Sequence, residues 1–144
     1  SEHCGLRVSA GSFACEQVLN LLKVKKIAVI SPYFPVSDKN VTRFFQDCGF
    51  DVVRFKGLKC ASPVEIAQVE EVKLRMLVED MNGDDVDAFV QVGTNLSMCS
   101  LCLELEEKYS KPFIAINAAT YWHALRAMDI NDQFSGHGPL FQFY

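Results

Sequence analysis

An α/β fold is predicted, in which a parallel sheet is covered by helices on both faces. Three observations carry this. Short apolar runs alternate along the chain with segments of helical spacing. The runs around 26–31, 86–92 and 113–117 are close to continuously apolar, as strands buried on both faces are. Finally, 144 residues, 49% of them hydrophobic, fit one compact domain that buries roughly 70% of its unfolded surface.

The elements follow in order. Leu6 to Gly11 reads as a short strand leading into a helix from Phe13 to Leu22. Lys26 to Ser31 is a buried strand that ends at Pro32-Tyr33-Phe34-Pro35. From Val36 to Cys48, apolar residues at Val41, Phe44, Phe45 and Cys48 have helical spacing, and Gly49 ends the helix. Phe50 to Phe55 alternates with polar Asp51 and Arg54, the pattern of an edge or half-buried strand. After a loop at 57–61, Ser62-Pro63-Val64-Glu65 supplies an N-cap, a proline in the first turn and a capping-box glutamate. One helix is expected from there to about Met81, stopped by Asn82-Gly83-Asp84-Asp85. The strand Val86 to Val92 comes next, then a helix from Asn95 to about Tyr109, a strand Phe113 to Asn117 and a helix from Ala119 to about Met128. The tail from Asp132 to Tyr144 carries two glycines and three phenylalanines and is expected to dock on its neighbours.

Charge narrows the function. A net charge of −4 and a pI near 5.3 argue against a nucleic-acid surface, since Lys23, Lys25 and Lys26 form only a local cluster. No apolar run approaches the roughly 18 residues of a membrane span, and no signal-peptide pattern opens the chain. Six cysteines at spacings that fit no secreted framework point to a reducing cytosol. Cys99 and Cys102 are the one close pair. Placed inside the expected helix and short of two zinc partners, they read as small core residues, with a metal as the weaker alternative.

The candidate site is the break after Val92. A strand that stops at Gly93 and restarts as a helix at Asn95 would set backbone N–H groups, the Thr94 hydroxyl and the Asn95 carboxamide at the carboxyl end of a strand. Open α/β sheets hold small anions there. The turn itself offers no Cys, Ser, His or acid as nucleophile or base.

Four stretches carry a family resemblance: Lys26 to Tyr33 with Asn40, Gly57-Leu58 ahead of the long helix, Gly93-Thr94-Asn95-Leu96, and Ala115 to Arg126. In order and spacing they resemble the C-terminal lobe of the aspartate/glutamate racemase superfamily, in the branch of maleate cis-trans isomerases and arylmalonate decarboxylases. The resemblance implies a flavodoxin-like three-layer sandwich with a four-stranded parallel sheet, one lobe of a pseudo-symmetric two-lobe protein. Residues 1–22 would be a crossover from a preceding N-terminal lobe, and 23–144 the C-terminal lobe. It also implies cofactor-independent isomerisation, racemisation or decarboxylation of small maleate- or malonate-like carboxylates, with no metal. In that chemistry each lobe can contribute a cysteine at the turn after a strand, and a low-pKa thiolate does the work. Tyr33 matches a tyrosine aimed at the substrate carboxylate, and Asn40 an asparagine of the same loop. Thr94 and Asn95 match the turn that follows the second cysteine, and Gly93 stands at that cysteine's own position. Pro63 falls about where the isomerases carry an active-site asparagine. The partners implied are a small carboxylate and either an N-terminal lobe or a second copy. The surface bringing together Phe13, Val18, Ala119, Tyr121 and Trp122 would meet them.

Plainer readings stand beside these. Tyr33 also suits a rim aromatic, Asn40 a loop brace, and Thr94 and Asn95 helix caps. Ser31 and Asn117, read as the ends of neighbouring strands, suit a modest site role. His123 suits a packed or interface histidine. Glu104, Glu106, Glu107 and Lys108 suit a solvated helix face, and Cys60, flanked only by Lys59, has little to activate it. Beside the enzyme reading stands a non-catalytic carboxylate-binding module of the same fold. A nucleotide or interaction module is weaker, for want of a Gly-rich phosphate loop.

Overall fold

A computed structural model describes Gly5 and residues 8–144. The elements run α1 (Gly11–Leu21), β1 (Lys26–Ser31), α2 (Pro35–Asp47), β2 (Asp51–Gly57), α3 (Pro63–Ala67), α4 (Glu71–Met81), β3 (Ala88–Gln91), α5 (Cys99–Tyr109), β4 (Phe113–Ala115), α6 (Ile116–Ala127) and α7 (Pro139–Phe143).

The strands form one parallel sheet in the order β2-β1-β3-β4. Because successive side chains of a strand point to opposite faces, β1 feeds two cores. Ile27 and Val29 pack with Val90 and Ile114 against α1, α2 and α6, whereas Ala28 and Ile30 pack with Phe89 and Phe113 against α4 and α5. Phe89 and Phe113 stack across β3 and β4 with ring centroids 4.5 Å apart. This is the three-layer α/β architecture expected. Since β2 and β3 lie on opposite sides of β1, the connections leave β1 and β3 in opposite directions and open a crevice at their carboxyl ends.

Several boundaries differ from expectation. The helix expected from 63 to 81 is two, α3 and α4, parted at Gln68-Val69-Glu70. The Ser62 hydroxyl does cap α3 by accepting the Glu65 N–H, and the Glu65 carboxylate accepts the Ala61 N–H. Residues 94–98 are not helical, and α5 begins only at Cys99. Leu96 and Met98 are each 1% exposed, so the segment spends itself sinking two side chains into the core rather than coiling. β4 stops at Ala115 and α6 starts at once, which puts Asn117 in its first turn. β4 is also separated from β1 by β3, so Ser31 and Asn117 do not end neighbouring strands. Residues 8–10 are not strand, and Leu6 and Arg7 of the expected first strand lie outside the described residues.

α1 is integral to the first core, where Ala14, Cys15, Val18 and Leu19 are fully buried. The tail docks as expected: Phe141 is buried, and the Tyr144 carbonyl accepts hydrogen bonds from the Trp122 indole and the Arg126 guanidinium. Val18, Ala119 and Trp122, expected on an interface, are buried inside this fold, which leaves Phe13 and Tyr121 exposed.

Candidate functional site

The crevice between β1 and β3 is built by three loops. β1 delivers Ser31, fully buried, whose hydroxyl donates to Asp38 Oδ1 at 2.7 Å and accepts the Tyr33 N–H at 3.1 Å. Asp38 lies in the first turn of α2, where the helix dipole favours a carboxylate. A Cβ on Gly57 would sit 2.1 Å from Asp38 Oδ2, so the end of β2 must be bare for this pair to form. Pairing then continues past the strands: the N–H groups of Leu58, Cys60 and Lys59 donate to the carbonyls of Ser31, Pro32 and Tyr33. The Tyr33 loop is thereby held from both sides.

On the β3 side, Gln91 is 2% exposed. Its carboxamide donates to the carbonyls of Val92 at 2.7 Å and Gly93 at 2.8 Å, which fixes the turn from beneath. Gly93 has φ +91°, and a Cβ there would meet Pro32 Cγ at 2.4 Å and Cδ at 2.7 Å, with the Tyr33 hydroxyl at 3.5 Å. Glycine is required twice, by backbone conformation and by the proline ring. From the first turn of α6, Asn117 donates its side-chain amide to the Thr94 carbonyl at 2.9 Å.

Tyr33, Asn40 and Gly93 meet at one cleft of ≈ 320 Å³, floored by Val41, Phe44, Phe45 and Val92 and walled by Ser12, Cys15 and Ile116. Thr94 and Asn95 do not line it. Both are exposed, Asn95 reaching the Pro63 carbonyl at 3.4 Å, and neither caps a helix, because α5 starts beyond them. The cleft thus offers a phenol, a carboxamide and a bare backbone over an apolar floor. Among the described residues the thiol on its wall is Cys15, pushed by burial up to about 12 and therefore protonated near neutrality. Sequence reasoning missed Ser12, Cys15, Asp38 and Gln91. The last carries a usable signal, a carboxamide inside an apolar strand.

The remaining readings sort plainly. His123 is packed, its Nδ1 2.8 Å from the Ser9 hydroxyl. Cys15 and Cys102 are core residues, but Cys99 is exposed and is the first residue of α5, so the Cys99–Cys102 pair begins its helix. The helix face at 104–108 is not uniformly solvated. Glu104 bridges to Arg75 of α4 at 2.6 Å, and Glu106 turns inward to accept the Phe113 N–H, with burial raising its carboxyl to about 7.

A model of the arylmalonate decarboxylase family matches residues 1–141. The maleate isomerase of Pseudomonas putida is 27% identical over 134 residues, which are 92% of this chain and 52% of that protein. That of Nocardia farcinica is 23% identical over 137 residues, 94% of this chain and 53% of its own length. Among solved structures, the maleate isomerase of Pseudomonas putida S16 superposes with a TM-score of 0.86 at 25% identity, covering 92% of this chain and 54% of that one. A liganded variant of arylmalonate decarboxylase superposes with a TM-score of 0.89 at 21% identity, over 97% of this chain and 61% of its own. The chain spans about half the length of the maleate isomerases it matches. It belongs to the arylmalonate decarboxylase family.

Proposed function

We propose that this chain is the carboxylate-holding wall of a cofactor-independent isomerase, racemase or decarboxylase acting on small carboxylates, and that it supplies no thiol of its own to the reaction. The observation that carries this reading is Gly93, where a Cβ would lie 3.5 Å from the Tyr33 hydroxyl but in space that the Pro32 ring already fills. A thiol cannot project from that position without moving a proline ring. The Tyr33 hydroxyl and Asn40 carboxamide are left as hydrogen-bond donors on the wall of an apolar cleft.

Related structures support the choice of ligand class. A Pseudomonas putida S16 maleate isomerase variant is solved with maleate, and a Nocardia farcinica maleate isomerase variant with a covalently bound succinylcysteine intermediate. In a two-lobe arrangement the reacting cysteine comes from the facing lobe. Its thiolate adds to, or exchanges a proton with, the carbon beside a carboxylate, while this wall keeps that carboxylate in place. The second reading, a carboxylate-binding module without chemistry, is favoured by Cys15, whose burial keeps protonated the thiol on the cleft wall.

Titration of the chain with maleate and with malonate, followed by amide chemical-shift changes, tests the site. Shifts centred on Tyr33, Asn40 and Gly93 are expected, with roughly tenfold weaker binding in Tyr33→Phe, the value of one hydrogen bond to a charged group. Thr94→Ala, outside the cleft, should change little. Binding indifferent to both Tyr33→Phe and Asn40→Ala would overturn the assignment. Turnover of maleate by this chain alone would overturn the shared-wall reading.

A further inference from the structure

Away from this cleft, α5 opens with a second cluster of reactive groups. Cys99 is its first residue and is exposed. No side chain caps the helix, so its first N–H groups are unclaimed by a cap. Cys102 follows one turn later and is 3% exposed. Glu106 follows one further turn along the same face. All three line a single narrow cavity between α5, β4 and the segment that leads into α7.

We propose that Cys99 and Cys102 form a dithiol–disulfide redox couple, with Cys99 as the attacking and Cys102 as the resolving thiol and Glu106 taking the resolving thiol's proton. The co-substrate is a small disulfide. Positions i and i+3 of a helix have side chains about 5–6 Å apart, and their backbones fall within the span a disulfide bridges. The Cβ atoms must still approach by about 1–2 Å, a tightening that the first turn can make because Cys99 is its uncapped first residue. Exposure assigns the order of events: an outside disulfide reaches Cys99 but not Cys102.

The steps balance. Exposed Cys99 releases its proton to solvent, and its sulfur attacks one sulfur of the disulfide and expels a thiolate, leaving a mixed disulfide. Cys102 then gives its proton to Glu106 and attacks the Cys99 sulfur, expelling the second thiolate. The dithiol loses two electrons and the small disulfide gains two.

The groups facing Cys102 fit this order. Its thiol is pushed above the usual range by burial first, and then by Cys99 and Glu106, so it does not ionise without a base. The Glu106 carboxyl is held by the Phe113 N–H and raised by burial to about 7, where a base takes and releases protons near neutrality. His137, from the segment before α7, is the other titratable group on the cavity wall among the described residues. β4 and α1 present only apolar side chains there.

Peptide mapping of the full chain equilibrated with oxidised and reduced glutathione decides the matter. Cleavage after Arg75 and Lys108 yields a peptide of residues 76–108 that holds Cys99 and Cys102 and no other cysteine. The expected product is that peptide two hydrogens lighter, reversed by reduced glutathione. Cys102→Ser should stop at a stable glutathione adduct on Cys99. Glu106→Gln, which keeps an acceptor for the Phe113 N–H, should slow closure on the order of 100-fold, the lower range for a general base, and should lengthen the life of the mixed disulfide. Wild-type protein that stays a dithiol, or carries glutathione on Cys99 without closing, overturns the couple whatever the variants do. Closure at an unchanged rate in Glu106→Gln overturns the role given to Glu106.

Discussion

At Gly93 two independent constraints coincide, which makes the residue a sharp place to test the site. Its φ of +91° disfavours any L side chain, and the Pro32 ring occupies the Cβ direction. Gly93→Cys, the substitution that would place a thiol at this turn, should therefore destabilise the chain by about 2–4 kcal/mol, strain and overpacking together. Pairing it with Pro32→Ala should recover part of that loss in a denaturant titration. If Gly93→Cys alone leaves the unfolding midpoint in place, the proline ring does not exclude the thiol. Ser31→Ala is a milder probe. It removes the donor to Asp38 and the acceptor of the Tyr33 N–H, at a cost of about 1–3 kcal/mol, and should weaken maleate binding by loosening Tyr33. The glycine and the tyrosine loop are visible in the sequence because punctuation and family spacing mark them. Pro32's packing on Gly93 and the Ser31–Asp38 pair are not, because both arise from parallel strands brought side by side.

Individual elements show the same division. The strand–helix alternation is legible because buried parallel strands leave continuous apolar runs. The break between α3 and α4 is not, since no Gly or Pro interrupts 64–81 and the apolar spacing runs straight across. The late start of α5 is hidden for a different reason: Leu96 and Met98 look like helix residues and are instead core residues of a turn. The same helix carries Glu106. Burial raises its carboxyl to about 7 from an ordinary 4.5, so the native state holds this proton more tightly than the unfolded chain. The stabilisation is complete below about pH 4.5 and is lost as pH rises through about 7. Its size is about 1 kcal/mol once solvent screening of a half-exposed carboxylate is allowed for. Wild-type Tm should thus fall relative to Glu106→Gln by about 3 °C between about pH 5 and pH 8. Parallel Tm curves for the two proteins would remove Glu106 from this role.

For the molecule as a whole, the question is what meets the cleft. The chain spans 52% and 53% of the two maleate isomerases it matches, and the proposed reaction needs a thiol that Gly93 does not supply. On the cleft wall, Ser12 of α1 and Asn40 of α2 are exposed. On the same two elements, Phe13 of α1 and Phe34 and Val36 at the start of α2 are 57%, 49% and 78% exposed, an apolar margin that the described residues leave uncovered. A facing lobe or a second copy would bury it, and each such side chain would contribute about 1.5–3 kcal/mol when fully buried. The chain as given should therefore self-associate, and Phe13→Ser with Val36→Ser should shift it toward monomer in multi-angle light scattering without altering its circular dichroism. Covering this margin closes the cleft but brings no thiolate from Cys15, so the dimer should still bind maleate and still fail to turn it over. Turnover should appear only when a facing lobe with a reactive cysteine is supplied, and should vanish when that cysteine is changed to alanine. A chain that stays monomeric at every concentration tested, or a two-lobe protein that remains active without its facing cysteine, would each break one link of this argument.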